Sequence, residues 1–531
     1  MQPAPRGLRQ YGLSLWQAVE RGLDARVGAA GNPLRHLGSI GLLAFGLLAA
    51  SGSILFALFD TSVEGAYRSI EGLAHVPLGL GRLLRGLHRY AADLLMIVLL
   101  LHILREWLHG HARGVRRFHW LTGVPLLAFV FVSAIGGFWL IWDQLAQYSA
   151  LSTAEWLDAL PLLAAPLARN FLSPAAVGDR LFSLFVFVHV GVPLLLLFGL
   201  WFHIQRLSHV AILPPRPLAL GLVATLTLLA LAQPVTSHAP AALDRVPQAL
   251  QLDWLLLWLH PLTDLTSKTF TWALVLGALL LLLALPFLPQ PARPATAVVD
   301  PDNCNGCKRC FVDCPYAAVT MIAHPNQRPG RQLAVVDPDL CVGCGICAGA
   351  CPSSTPFRRG EQLRTGIDMP QLPVHALRER LRDALETHPA ARPLVVFGCD
   401  HGADVDSLQG EDLCRFSLLC AGQLPPSFVE YALRDGAAGV LLVGCRSCEY
   451  RLGRRWTEDR LAARREPHLR PSVPPERLAL LWADPGEEDA LACTIGALRA
   501  RLAAQMPPTD PFVGPTAAAP AAGRGMELQD D

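Results

Sequence analysis

The sequence predicts a multi-domain protein: an all-α bundle of six transmembrane helices, then an α+β domain, then a small α/β domain. Three observations carry that expectation. Six long apolar segments fall at about 37–59, 82–105, 119–142, 180–204, 216–234 and 268–289, each near the roughly 20 residues a helix needs to cross the hydrocarbon. All 14 cysteines come after residue 300, and eight of them sit in two tight groups. Further on, strand-like runs ("PLVVFG", "GVLLVG", "RLALLWAD") alternate with helical stretches, the pattern of a small α/β domain. The chain of 531 residues is 52% hydrophobic with a net charge of +1. That is too apolar for a soluble protein of this size, and it gives no electrostatic footprint for nucleic acid.

The segments follow in order. Residues 1–36 lack the continuous apolar core of a cleavable signal peptide and read as an amphipathic segment lying on the membrane surface. The membrane domain spans 37–290. Its N-terminal tail holds Arg6, Arg9, Arg21, Arg26 and Arg35, the loop after the second span holds Arg105, Arg113, Arg116 and Arg117, and the loop after the fourth holds Arg206 and Arg216. Basic residues mark the cytoplasmic side, so an even number of spans puts both ends in the cytoplasm. Clustered rather than dispersed cysteines independently point to a reducing compartment. The expected location is therefore the cytoplasmic membrane of a bacterium or archaeon. Residues 291–298 form a Pro-rich linker, 299–358 hold the two cysteine groups, 390–505 form the α/β domain, and 506–531, rich in Pro, Ala and Gly, are expected to be disordered.

The second span carries His88 and His102, and the fourth carries His189 and His203. Both pairs are fourteen residues apart, about 40° short of four full turns, so each pair shares one helix face with its members about 21 Å apart. A single imidazole in a span can be a packing residue bonded across helices. Four at matching intervals point instead to two bis-histidine sites, one near each membrane surface, for which haem iron in a helix bundle is the natural acceptor.

These residues resemble the dihaem cytochrome b of quinol-oxidising bc-type complexes, over about 1–290. The first span carries Gly38 and Gly52 and the third Gly123 and Gly137, again fourteen apart; in that family such glycines give room at the haem faces. The resemblance implies two b haems, one held by His88 and His189 on the outer side, the other by His102 and His203 on the cytoplasmic side. It also casts Arg85 and Arg105 as haem-propionate partners. The family's quinol-site tetrad "PEWY" appears only as "LDWL", Leu252–Leu255. Asp253 then stands as candidate proton acceptor from quinol, with a helix-capping role open beside it.

"CNGCKRCFVDCP" and "CVGCGICAGACP" both fit C-x₂-C-x₂-C-x₃-C-P, a spacing that gives three thiolates to one cube and the fourth to the other. One [4Fe-4S] cluster takes Cys304, Cys307, Cys310 and Cys351, and the other takes Cys341, Cys344, Cys347 and Cys314. This part resembles two-cluster bacterial ferredoxins; zinc is the structural alternative. Cys399, Cys420, Cys445 and Cys448 resemble the delta subunit of methyl-viologen-reducing hydrogenase, over about 390–485, and that resemblance implies one [2Fe-2S] cluster and a surface for soluble partners, with zinc or no metal open beside the cluster. The match departs where the family has a second early cysteine and this chain has Gly402. Cys414 and Cys493 read as ordinary thiols.

The expected function is a membrane electron-transfer subunit. It links the quinone/quinol pool through two haems to cytoplasmic iron–sulfur clusters and a soluble partner resembling a hydrogenase, a heterodisulfide reductase or a flavin dehydrogenase. No G-x-G-x-x-G follows a strand, so the catalytic subunit for the soluble substrate is expected on another polypeptide. Two alternatives stand beside it: a membrane anchor and docking scaffold, and a transmembrane haem reductase that uses no quinone. Homodimerisation and the direction of electron flow stay open.

Overall fold

The computed structural model describes residues 8–160, 166–171, 177–245, 250–289, 295–325, 330–352, 363–390 and 392–504. The chain divides into two compact units, Met1–Arg293 and Pro294–Asp531. The expected disordered tail, 506–531, and part of the 291–298 linker lie outside the described residues.

The first unit is helical: α1 (Leu8–Gly31), α2 (Leu37–Leu58), α3 (Gly65–Gly72), α4 (Leu80–Leu108), α5 (Arg117–Trp139), α6 (Gln144–Asp158), α7 (Asp179–Ile204), α8 (Arg216–Ala232), α9 (Leu259–Leu265) and α10 (Lys268–Ala284). Every one of the six apolar segments is a helix. Among the described residues four are long and apolar enough to cross a membrane, namely α2, α5, α7 and Lys268–Phe287, in keeping with an integral membrane protein. The other two differ for visible reasons. Helix α8 has only 17 residues, and α4 carries Arg82, Arg85, Arg89, Asp93, Arg105 and Glu106 within its 29. Helix α2 packs along α4 and α5 along α7, around Ala44, Leu95, Met96, Leu126, Val130 and Leu196. Three shorter helices lie between the long ones. The most regular is α6, capped by Asp143, whose carboxylate accepts from the amide of Ala146 at 2.8 Å and from that of His238 at 2.9 Å.

The second unit opens with two small antiparallel pairs. Strand β1 (Val298–Val299) pairs with β4 (Ile367–Asp368), and β2 (Val319–Ala323) with β3 (Gln332–Val336). One-turn helices α11 (Arg309–Asp313) and α12 (Ile346–Gly349) carry the middle of each cysteine motif. After α13 (Val374–Glu386) comes a wholly parallel sheet of β5 (Leu394–Cys399), β6 (Leu413–Leu418), β7 (Gly439–Gly444) and β8 (Leu478–Trp482), in the order β6-β5-β7-β8. Helices α14 (Ser427–Arg434), α15 (Gly453–Leu461) and α16 (Glu488–Ala503) complete it.

The central strands are buried on both faces, as parallel strands between helices must be. Val395 and Phe397 of β5 and Val440 and Leu442 of β7 face a core shared with Leu377, Leu381 and Leu385 of α13. The alternate residues, Leu394, Val396, Leu441 and Val443, pack under Leu491, Ile495 and Leu498 of α16. Period-two side chains on one strand thus feed two different cores. Helix α13 precedes the 390–505 boundary read from the sequence, yet it packs into this same layer.

Candidate functional site

In the first unit the α2/α4 and α5/α7 pairings bring each of the four histidines against one of the four predicted glycines. A Cβ at Gly52 would lie 3.0 Å from His88 Cε1, at Gly137 2.8 Å from His189 Cε1, at Gly123 3.2 Å from His203 Cε1, and at Gly38 3.9 Å from His102 Cε1. A side chain at 52, 123 or 137 would therefore press on an imidazole, while one at 38 would only reach ordinary contact.

Hydrogen bonds fix the ring tautomers. The Ser51 hydroxyl donates its one proton to Leu47 O at 2.7 Å, so its 3.0 Å contact with His88 Nδ1 requires that ring nitrogen to donate. Thr122 likewise donates to Phe118 O at 2.8 Å and accepts from His203 Nδ1 at 2.9 Å. His189 Nδ1 donates to the carbonyl of Ser133 at 2.9 Å. In all three the proton sits on Nδ1 and the lone pair on Nε2, the arrangement in which an imidazole ligates a metal with its other nitrogen anchored. His102 Nδ1 lies 4.0 Å from Glu106 Oε1.

The rings of His88 and His189 stand 6.2 Å apart, centre to centre. Two metal–imidazole bonds of about 2.0 Å and two ring radii of about 1.1 Å give about 6 Å, so this pair fits two axial ligands on one iron. His203 lies within electrostatic reach of His102, and its ring centre is 5.9 Å from that of His119, a neighbour the sequence reading passed over. Ser51 and Thr122 were also passed over, although each is a hydroxyl residue directly before a ring-facing glycine.

The predicted arginines are engaged within the protein. Arg85 donates to Glu71 Oε1 at 2.8 Å and to Ser237 Oγ at 2.6 Å. Arg105 contacts Glu20 Oε1 and Glu106 Oε1, each at 3.3 Å. Asp253 is ion-paired with Arg89, the residue after His88. It also accepts from the amides of Leu255 at 3.0 Å and Leu256 at 2.6 Å. It thus caps its segment and shares a half-buried arginine with Asp93.

In the second unit the ferredoxin-type cysteines gather in the two sets expected. One cavity is lined by Cys304, Cys307, Cys310 and Cys351, another by Cys314, Cys341, Cys344 and Cys347. Burial pushes the Cys310 thiol up to about 12 and raises Cys344 as well, so these thiols give up their protons only to a strongly bound cation. Among the described residues no three His, Cys, Asp or Glu side chains are placed to hold a single metal ion. Four thiols around each cavity are the donor set that a [4Fe-4S] cube takes.

The terminal cysteines all lie at the carboxyl edge of the parallel sheet: Cys399 ends β5, Cys420 follows β6, and Cys445 and Cys448 follow β7. The strand order reverses between β5 and β7, and such switch points are where open α/β sheets bind ligands. Thiols of Cys420 and Cys445 donate to Cys399 and hold it well below the usual thiol range, and Cys448 is held down by Cys445. A Cβ on Gly453 would meet Cys420 Sγ at 2.3 Å and Cys448 Sγ at 3.5 Å, so two of the four sulfurs close over a bare backbone. A Cβ at Gly402 would stand 3.1 Å from Ala483 O and 3.3 Å from Cys445 N, a tight fit that a side chain there would have to open by a few tenths of an ångström. Cys414 faces α13, 3.8 Å from Ala384 O, and Cys493 is exposed.

Three family models match this chain. Residues 30–211 match cytochrome b/b6/petB, residues 303–355 match the 4Fe-4S dicluster domain, and residues 401–504 match the delta subunit of methyl-viologen-reducing hydrogenase. The first match holds all four histidines and all four ring-facing glycines and ends before α8, so it is narrower than the 1–290 read from the sequence and leaves Asp253 outside. The third begins two residues after Cys399. Among solved structures, one titled "Hyperthermophilic respiratory Complex III" aligns at 18% identity over 52% of this chain and 82% of that one, with a TM-score of 0.40. In order along its length, then, this protein carries regions matching a cytochrome b, a 4Fe-4S dicluster domain and a hydrogenase delta subunit.

Proposed function

We propose that this chain is the membrane subunit of a quinone oxidoreductase. In this reading it exchanges electrons between the quinone pool and a soluble cytoplasmic complex resembling a hydrogenase, a heterodisulfide reductase or a flavin dehydrogenase. Two b haems, two [4Fe-4S] clusters and one [2Fe-2S] cluster would supply the one-electron carriers. The observation that most supports it is the His88–His189 pair, with rings 6.2 Å apart and Nδ1 of each engaged by its own partner. His88, His189, His102 and His203 would hold the haems, with room cleared by Gly38, Gly52, Gly123 and Gly137. Arg85 and Arg105 would turn toward propionates by exchanging Glu71, Ser237, Glu20 and Glu106 for them. The eight ferredoxin-type cysteines would hold the cubes, and Cys399, Cys420, Cys445 and Cys448 the smaller cluster.

Asp253 would take the quinol proton, with Arg89 as its counter-ion. The test is quinol-driven haem reduction in membranes carrying the full chain, compared with Asp253→Asn. Asparagine still caps, so the fold survives while the base is lost. Positioned acid–base groups contribute about 10²- to 10⁴-fold; a variant reduced at the wild-type rate would remove Asp253 from the reaction. If quinol never reduces the haems and quinone never oxidises them, the quinone reading itself fails. One observation favours a transmembrane haem reductase without quinone: the Asp253 carboxylate is already committed to Arg89 and to its own helix turn.

A further inference from the structure

Within the second unit, one of the two ferredoxin-type cysteine sets lies directly against the terminal one. Ile346, between Cys344 and Cys347, packs into the loops that carry the last four cysteines. A Cβ on Gly422 would meet Ile346 Cγ1 at 3.0 Å, and one on Gly453 would meet Ile346 Cδ1 at 3.8 Å and Cys420 Sγ at 2.3 Å. A Cβ on Gly349 would meet Gly422 O at 2.2 Å. The backbones therefore touch through glycines, and Cys344 and Cys448 lie within electrostatic reach of each other, as do Cys420 and Cys344. Cys307 and Cys310 feel Cys304 and Cys351 of their own set, while Cys347 feels Cys310. The three sets thus form a row, with Cys314, Cys341, Cys344 and Cys347 in the middle.

Arg460 of α15 sits in the seam. It is 1% exposed. Its guanidinium donates to Gly422 O at 2.8 Å, to Asp313 Oδ2 at 2.5 Å and to Ile346 O at 3.4 Å. Asp313 precedes Cys314, Ile346 lies between Cys344 and Cys347, and Gly422 follows Cys420 by two residues. One buried cation therefore ties three backbone segments that carry thiols of both sets. Arg465 adds a second bond to Asp313, Nε to Oδ1 at 2.9 Å, and Trp456 Nε1 donates to Asp313 O at 3.1 Å. Burying a guanidinium is costly unless it is paired and bonded; Arg460 is paired with Asp313 and bonded through both terminal nitrogens, while its buried Nε makes no hydrogen bond.

We propose that electrons pass directly between the terminal four-cysteine site and the Cys314/Cys341/Cys344/Cys347 site, with the Cys304/Cys307/Cys310/Cys351 site next in line. Arg460 is the positioning residue that fixes the gap between the first two. Each step is a one-electron exchange in which one centre is oxidised and its neighbour reduced, with no bond made or broken. The proposal rests on the cluster assignment above.

The experiment uses the purified full chain in detergent. Iron per chain, electron paramagnetic resonance of the reduced protein and freeze-quench transfer rates are compared for wild type, Cys399→Ser, Arg460→Gln and Arg460→Lys. The expected result is magnetic broadening of one cube's signal by the terminal centre, abolished in C399S with the other cube unchanged. At full iron content, R460Q and R460K should weaken that broadening and slow transfer about tenfold or more, as loss of an outer partner does. R460K keeps a buried cation, so its result stands if R460Q does not fold. Unchanged coupling and rate in the Arg460 variants at full iron content, or broadening of the Cys304 cube instead, would overturn the proposal. Iron at about ten per chain, two of them in haem, with only two cube signals would instead sink the assignment it rests on.

Discussion

Gly137→Ala is the sharpest test of the histidine–glycine pairing. In an ordinary helix this change favours the fold by up to about 1 kcal/mol, since glycine is the poorer helix former. Here the new methyl would lie 2.8 Å from His189 Cε1 and 3.2 Å from its Nδ1. Ordinary contact begins at 3.4 Å, so the ring must retreat by about 0.6 Å, beyond the roughly 0.5 Å within which a working site is held. The same retreat strains the bond from Nδ1 to Ser133 O. Pyridine haemochrome analysis and reduced-minus-oxidised spectra of the purified full chain read the outcome. We expect haem to fall from about two to about one per chain, the His102/His203 site being spared. Gly46, with nothing within 4 Å of its Cβ position, and Gly38, at 3.9 Å, should both accept alanine without change. A Gly137→Ala protein with both haems and unmoved spectra would refute the reasoning.

Three further outcomes follow from single contacts. Ser51→Ala and Thr122→Val each remove the acceptor that orients one histidine. Each should lower haem retention about 10- to 100-fold at one site only, seen as loss of one component in a redox titration. Asp143→Ala strips the α6 cap and strands the amide of His238; thermal unfolding in detergent should show a loss of about 2 kcal/mol, whereas Asp143→Asn should recover part of it. Cys399→Ser should abolish the third iron–sulfur signal and leave both cubes, while Cys414→Ser leaves all three, by iron analysis and electron paramagnetic resonance.

Much of this architecture is legible in the sequence because a few physical periods dominate it. Apolar runs of about 20 residues, a fourteen-residue interval between face-sharing side chains and the C-x₂-C-x₂-C-x₃-C spacing are local, so they survive without knowledge of packing. What escaped was non-local or amphipathic. Helices α3 and α6 are short and half polar, and they read as loops beside the spans. The roles of Ser51 and Thr122 depend on a partner helix 37 and 81 residues away. Arg85 and Arg105 look unpaired in the sequence because Glu71, Ser237 and Glu20 reach them only in the folded bundle. Arg460 is one arginine among many in a polar stretch, and nothing local distinguishes it from its exposed neighbours.

The carboxyl-edge placement of the terminal cysteines also sets how freely the ligands can be changed one at a time. Each of the three loops contributes its thiols from a different crossover, so ligands can be gained or lost singly while the sheet beneath stays the same. Gly402 marks a limit to that freedom. A Cβ there would stand 3.1 Å from Ala483 O and 3.3 Å from the Cys445 amide, so a side chain enters at 402 only if these segments give by a few tenths of an ångström. A thiol added at 402 would therefore press on the Ala483 carbonyl and on the start of the loop that carries Cys445.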